Sequence, residues 1–258
     1  MGADCKSVAK ATKVRILDLA PACEGPGHCG RALRASRATP VRHHVGVYAT
    51  LARGADLTGE IEVRRSRFRA VVRRVEDEPA ASALVEEQRR AHRDARHHCS
   101  AFVLGPPPST ERSNDDGEPS GTAGAPMLEV LRGRGLSDVC AVVVRWFGGT
   151  LLGTGGLARA YAEAVETALA GAPTVRRVRR ELVTVTLPHA DAGRVESELR
   201  GHGVQVRDTT YGADGVRLLL APPDVAVLTE QVAALTSGGV SPEPAGTTWL
   251  DLPAGQGV

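Results

Sequence analysis

Aromatic side chains are scarce in this 258-residue chain, with Phe, Tyr and Trp together at 3%. That leaves little material for stacking nucleic-acid bases, so a partner of that kind has to be held mainly by charge. Charge of one sign is missing too. Lys and Arg total 32 against 30 Asp and Glu, a net charge of +2, which excludes a global electrostatic drive toward nucleic acid or an anionic membrane and leaves only local patches. No long apolar run occurs: the strongest, Val139 to Val144, falls far short of the roughly 18 residues of a membrane helix, so no membrane partner is expected. The five cysteines, Cys5, Cys23, Cys29, Cys99 and Cys140, form an odd set without a disulfide-framework spacing. A reducing, cytoplasmic setting is the expectation, with Cys140 packed as a buried thiol.

The stretch to about Pro40 carries Lys6, Lys10 and Lys13 but no apolar core ahead of a small-residue cleavage site, and does not read as a signal peptide. Within it, Cys23, His28 and Cys29 lack the pair-and-pair spacing of a zinc site. Residues 1–44 are therefore read as an upstream extension. With 42% hydrophobic and 24% charged residues, the chain is long enough to bury two modest cores.

Glu60 to Val63 and Phe68 to Val75 read as paired strands around a charged turn, and a helix from Glu78 places Leu84, Val85, Gln88 and Ala91 on one face. His97 to Leu104 reads as a strand ended by Gly105 to Pro108, and Met127, Val130 and Leu131 as the buried face of a short helix. Val139 to Val144 has the continuous apolar character of a strand buried on both faces. Behind it, Leu157, Ala160, Tyr161, Ala164, Val165, Ala168 and Leu169 form the clearest helical stripe in the chain. After Gly171 to Pro173 comes the order β-α-β-β-α-β, with strands near Leu182 to Leu187, Val204 to Thr209, Val216 to Leu220 and Thr247 to Leu252, which matches the ferredoxin-like split arrangement.

Two loops stand out. Arg145 to Arg159 places Gly148, Gly149, Gly153, Gly155 and Gly156 at a strand-to-helix junction, where backbone N–H groups can meet an anion and Arg145 and Arg159 can add charge. It has neither the Gly-Lys-Ser/Thr of a P-loop nor a dinucleotide fingerprint, and glycines also serve tight turns and close packing. The second loop, Ser113 to Pro126, is polar and sits at a helix start, with Ser113, Asp115, Asp116, Gly117, Glu118, Ser120, Gly121 and Thr122 as its signature. Asp115, Asp116 and Glu118 are the residue types that hold a hard cation such as Mg²⁺, although clustered loop carboxylates are usually just solvated and no EF-hand ladder is present.

Two further groups carry weaker readings. His97, His98 and Cys99 invite a thiolate nucleophile, but on a strand His97 and Cys99 share a face that His98 leaves, and a packed thiol is the simpler account. Arg65, Arg67 and Arg73 belong to an Arg-rich stretch able to track phosphates, balanced by Glu76, Asp77 and Glu78.

Four ordered segments, RSRF at Arg65 to Phe68, ARHHCSAFVLG at Ala95 to Gly105, SNDDGEPSGTAGAPML at Ser113 to Leu128 and VVVRWFGGTLLGTGGLARAY at Val142 to Tyr161, resemble the YigZ/IMPACT family from about Val47 onward. The resemblance implies an α+β chain. Residues 45–172 would form a two-layer domain similar to the second domain of a small-subunit ribosomal protein, and residues 173–258 a ferredoxin-like domain similar to the last domain of elongation factor G. It also implies a translation-linked binding role, since eukaryotic relatives regulate initiation through a stress-kinase pathway. The two loops would be the family's signature surface, with no catalytic residue to carry over; Trp146 stands where many relatives have Tyr.

The expected function is therefore binding rather than catalysis, with RNA, a nucleotide or another small anion, or a ribosome-associated protein as partner. The alternative is a metal-assisted hydrolase or phosphoryl-transfer enzyme, which requires the acidic loop and the glycine loop to open on the same side.

Overall fold

The computed structural model describes residues 46–107 and 109–253; the extension and the Cys23, His28 and Cys29 group lie outside them. The described chain begins with β1 (Val47–Leu51), β2 (Asp56–Val63), β3 (Ser66–Arg74), α1 (Glu78–Ala91), β4 (His97–Leu104) and β5 (Thr110–Asn114). Then come α2 (Gly124–Gly133), β6 (Val139–Trp146), α3 (Thr154–Ala168), β7 (Thr174–Leu187) and α4 (His189–Gly201). It closes with β8 (Gln205–Gly212), β9 (Gly215–Ala221), α5 (Val225–Leu235) and β10 (Glu243–Pro253). The described residues form an α+β architecture of two antiparallel sheets and five helices. Among the described residues, no helix is long and apolar enough to cross a membrane.

The first sheet has the order β2-β3-β6-β4-β5. Side-chain parity decides what covers it. Phe68, Ala70, Val72, Cys99, Ala101, Val139, Ala141 and Val143 face α2 and α3, whereas Val71, Val75, Leu104, Cys140 and Val142 face α1. The sheet is thus the middle of three layers, which corrects the expected two. The cause is visible in β6, apolar at every position from Val139 to Val144 and buried throughout. A strand with two apolar faces needs a cover on each.

In the second sheet, Val183 and Thr184 of β7 pair with both β9 and β10, so those strands lie on opposite edges and the order is β10-β7-β9-β8. Ala192, Val195 and Leu199 of α4 and Leu228 and Val232 of α5 pack on one face of it, against Val183, Val185, Leu187, Leu218 and Leu220. β1 pairs with Thr174 to Val178 of β7, so the start of the described chain joins the sheet of its C-terminal part.

Where the two sheets meet, the buried Asp138 accepts hydrogen bonds from Tyr48 Oη, Arg177 Nη1 (2.6 Å) and the Gly105 amide (2.9 Å). Arg74 spans the same seam, donating to both oxygens of Asp251 at 2.7 and 3.1 Å.

Candidate functional site

The polar loop connects β5 to α2, and the glycine loop connects β6 to α3. Sheet register brings them together. His97 on β4 lies opposite Arg145 on β6, which lies opposite Phe68 on β3, so these side chains neighbour one another on the face that α3 covers. A cavity of about 440 Å³ opens there, lined by His97 and Arg145, by Glu118 and Pro119 of the polar loop, and by Phe147, Leu151 and Thr154 around the glycine loop. Its size lies within the roughly 300–1,000 Å³ of small-ligand sites, and its walls are mainly apolar. The two loops therefore open on the same side.

The start of α3 forms part of this cavity. Its N-cap is Gly153, no side chain caps it, and the first intrahelical bond runs from the Leu157 amide to the Gly153 carbonyl at 2.9 Å. The amides of Thr154, Gly155 and Gly156 precede that bond and carry the positive end of the helix dipole.

The loop glycines divide by cause. A Cβ at Gly148 would lie 2.1 Å from the Arg65 carbonyl carbon, so that glycine permits a backbone contact. Gly149 and Gly153 have φ of +84° and +71°, where side chains are strained. Gly155 has neither reason: a Cβ there would meet nothing within 4 Å, and one at Gly156 would meet only Leu152 Cβ, at 3.2 Å. Since helical glycine costs about 1 kcal/mol relative to alanine, packing does not account for Gly155.

Arg145 is not the free cation that the sequence suggests. It is buried, its Nη1 donates to Glu118 Oε1, and the two side chains are only 7% and 3% exposed, a pair whose charges offset each other. Tyr161 Oη donates to the same carboxylate oxygen at 2.8 Å, and His97 Nε2 lies 4.0 Å from it. Arg159 is exposed on α3 and does not line the cavity. An anion seated here would therefore rest chiefly on backbone amides.

The three loop carboxylates do not converge. Asp115 accepts from the amides of Gly121 (2.7 Å), Ala123 (3.0 Å) and Gly124 (2.8 Å), capping α2 from eight residues upstream of its N-cap. Burial opposes its charge, yet these donors outweigh it and hold the carboxyl below the ordinary range. Asp116, at φ +43°, binds Arg89 Nη2 at 2.8 Å and the His98 amide at 2.7 Å. Glu118 faces Arg145. Each acid that a cation would need is thus committed to a different partner, and among the described residues no three His, Cys, Asp or Glu side chains form a metal-holding group.

The other loop positions are structural. Ser113 sits on β5 opposite Ala101, Gly117 (φ +84°) turns beside the His97 ring, Ser120 is exposed, and Gly121 (φ +75°) supplies its amide to Asp115. Thr122 Oγ1 donates to the Pro119 carbonyl at 2.6 Å. Cys99 is fully buried, with Sγ 3.0 Å from the Asp115 carbonyl oxygen and 3.3 Å from Tyr161 Oη. Burial pushes its thiol up to about 12, so it packs as a thiol and not as a nucleophile.

Of the arginines, Arg73 is satisfied by Asp56 (2.8 and 3.2 Å) and by Glu87 (2.8 and 3.0 Å), which α1 brings to that face. That removes it from a phosphate-tracking surface. Arg65 and Arg67 remain exposed beside the glycine loop, Arg65 donating to Thr150 Oγ1 at 3.3 Å and Arg67 lying 4.0 Å over the Trp146 ring. Sequence reasoning missed the apolar rim, Phe147 at 48% and Leu151 at 82% exposure. The signal was there: a Phe and two Leu inside a glycine-rich loop have no reason to be apolar unless something covers them.

Comparison with known proteins finds two family matches along the chain. The Impact N-terminal domain matches residues 64–169, and a domain of unknown function, DUF1949, matches residues 185–238. The IMPACT family member YvyE of Bacillus subtilis (strain 168) is 41% identical over 152 residues, 59% of this chain and 70% of that protein. The IMPACT family member YigZ of Escherichia coli (strain K12) is 37% identical over 189 residues, 72% of this chain and 93% of that protein. A crystal structure described as that of a hypothetical protein shares 37% identity at a TM-score of 0.56, covering 76% of this chain and 96% of its own. The two-domain translational regulator Yih1 overlays at a TM-score of only 0.31 with 25% identity, too loosely to bear on the site. With these matches in sequence and in structure, the chain belongs to the IMPACT family, in the form that joins an Impact N-terminal domain to a DUF1949 domain.

Proposed function

We propose that this chain is a binding protein whose ligand presents an anionic group to the amides of Thr154, Gly155 and Gly156 and an apolar part to Phe147, Leu151 and Leu157. The observation that carries this reading is a cavity over an uncapped helix start, with a glycine in the first turn that packing does not require. Arg65, exposed and donating to Thr150 of the loop, supplies local positive charge that the whole chain lacks. The setting we assign is translation, as the family resemblance implies, with a nucleotide, RNA or a ribosome-associated protein as partner; ferredoxin-like packing of residues 173–258 belongs to the same reading. The metal-assisted alternative draws no support from the geometry, because its acids are engaged elsewhere.

The test is a calorimetric titration of the chain with inorganic phosphate beside Gly155→Asp. The substitution fits the open space at that position and puts a carboxylate where the anion would sit. We expect saturable binding that the variant loses by tenfold or more, at about the strength of a charge-assisted hydrogen bond. Equal binding by both proteins contradicts the proposal.

A further inference from the structure

The cavity offers acceptors as well as donors. Every hydrogen bond of the Glu118 carboxylate falls on Oε1, from Arg145 and Tyr161, and the same oxygen is the one nearest His97. Oε2 has no partner among the described residues, although the side chain is only 3% exposed and the residue lines the cavity. It is also absent from the sealed, unpartnered atoms, so it keeps access to the cavity. A carboxylate oxygen left open in so buried a setting asks for a donor.

His97 adds a second acceptor. Its Nδ1 lies 2.8 Å from the Asp116 carbonyl oxygen, which can only accept, so Nδ1 carries a hydrogen, and an Nε2 without one is an acceptor on the cavity side. The two ends of the cavity are thus chemically opposite, amide donors at the start of α3 and acceptors at Glu118 and His97. Their separation is short. Tyr161, which holds Glu118, lies roughly 10 Å of helix rise beyond Thr154, and helical side chains lean back toward the helix start.

We infer that the cavity takes a phosphorylated sugar rather than a bare anion: the phosphate rests on the Thr154 to Gly156 amides, and a sugar hydroxyl donates to Glu118 Oε2 or His97 Nε2. This rests on the anion-binding reading above. A ligand lacking the hydroxyl leaves a buried carboxylate oxygen unpaired, and sites built to hold a hydroxyl discriminate strongly against analogues without one.

The experiment titrates the full chain with ribose 5-phosphate and with methyl phosphate, which has the anion but no free hydroxyl on carbon. We expect ribose 5-phosphate to bind about tenfold tighter or more. Glu118→Gln and His97→Asn should each shrink that preference while retaining methyl phosphate. The asparagine keeps a donor for the Asp116 carbonyl, so the second variant carries the test if removing the partner of the buried Arg145 prevents folding. Adding 5′-AMP and a short 5′-phosphorylated RNA separates the two sources of the sugar phosphate; tight binding of either supports the inference. Equal affinity for ribose 5-phosphate and methyl phosphate, or a preference untouched in both variants, overturns it and leaves the anion site standing. Failure of all four ligands to bind removes both.

Discussion

Two helices of the first region begin beside the same sheet, and their starts are treated in opposite ways. Asp115 closes the start of α2 by accepting the N–H groups of Ala123 and Gly124, with that of Gly121 in the loop as a third, whereas α3 begins at Gly153 with no cap and a cavity above it. Both follow loops rich in glycine, so composition alone does not separate them. The difference lies in whether the preceding loop brings a carboxylate back to the orphan amides. The polar loop does so through Asp115, and the glycine loop contains no acid at all between Phe147 and Leu157. A sealed start is part of the scaffold; an open one leaves its donors for something else.

The contrast breaks most severely at Asp115. Asp115→Ala strands three amides at once and should cost about 3 kcal/mol in chemical denaturation, with phosphate affinity at α3 largely retained in the folded fraction. Next in size, Gly155→Asp imitates at α3 the seal that α2 already has. It should weaken phosphate binding at least tenfold while stabilising the fold by about 0.5–1 kcal/mol through the helix dipole. A variant that loses stability along with binding would mean that the start of α3 is not open space.

Acid titration sharpens the same point. Because the folded-state pKa of Asp115 lies below its unfolded value, its contribution is present above the ordinary carboxylate range and is lost as pH falls through the folded value. Stability of the native chain should therefore drop more steeply on acidification than that of Asp115→Asn, measured by urea unfolding at a series of pH values. Equal slopes would show that the three amide contacts do not hold its proton off. The smallest effect is expected from Gly155→Ala, a gain of about 0.5–1 kcal/mol in thermal or urea unfolding, since the added methyl meets nothing and alanine favours the helix.

Much of the fold was legible because its signals are local. The stripe from Leu157 to Leu169, the strand from His97 to Leu104 and the β-α-β-β-α-β order after Pro173 all follow from periodicity within a few turns or residues. β1 was missed because Val47 to Leu51 becomes a strand only by pairing with Thr174 to Val178, far away in sequence. The third layer was legible in Val139 to Val144 but was not drawn from it: continuous burial on both faces already demanded a helix on each side. At the site, the two loops were found from composition, yet the roles inside them were not. Asp115 as a cap, Glu118 as the partner of Arg145, and Tyr161 as a buried donor depend on registers and loop paths joining residues 27 and 43 positions apart. No window of sequence contains that information. His97 was noticed for the wrong reason, as a neighbour of Cys99, when its register opposite Arg145 is what brings it to the cavity.

The most direct measurement is an amide-resolved NMR titration of the chain with inorganic phosphate. The amides of Thr154, Gly155 and Gly156 should shift saturably while those of Ala123 and Gly124, already bonded to Asp115, stay in place. Shifts at Ala123 and Gly124 with Thr154 to Gly156 unmoved, or no saturable shift at either helix, would contradict the account.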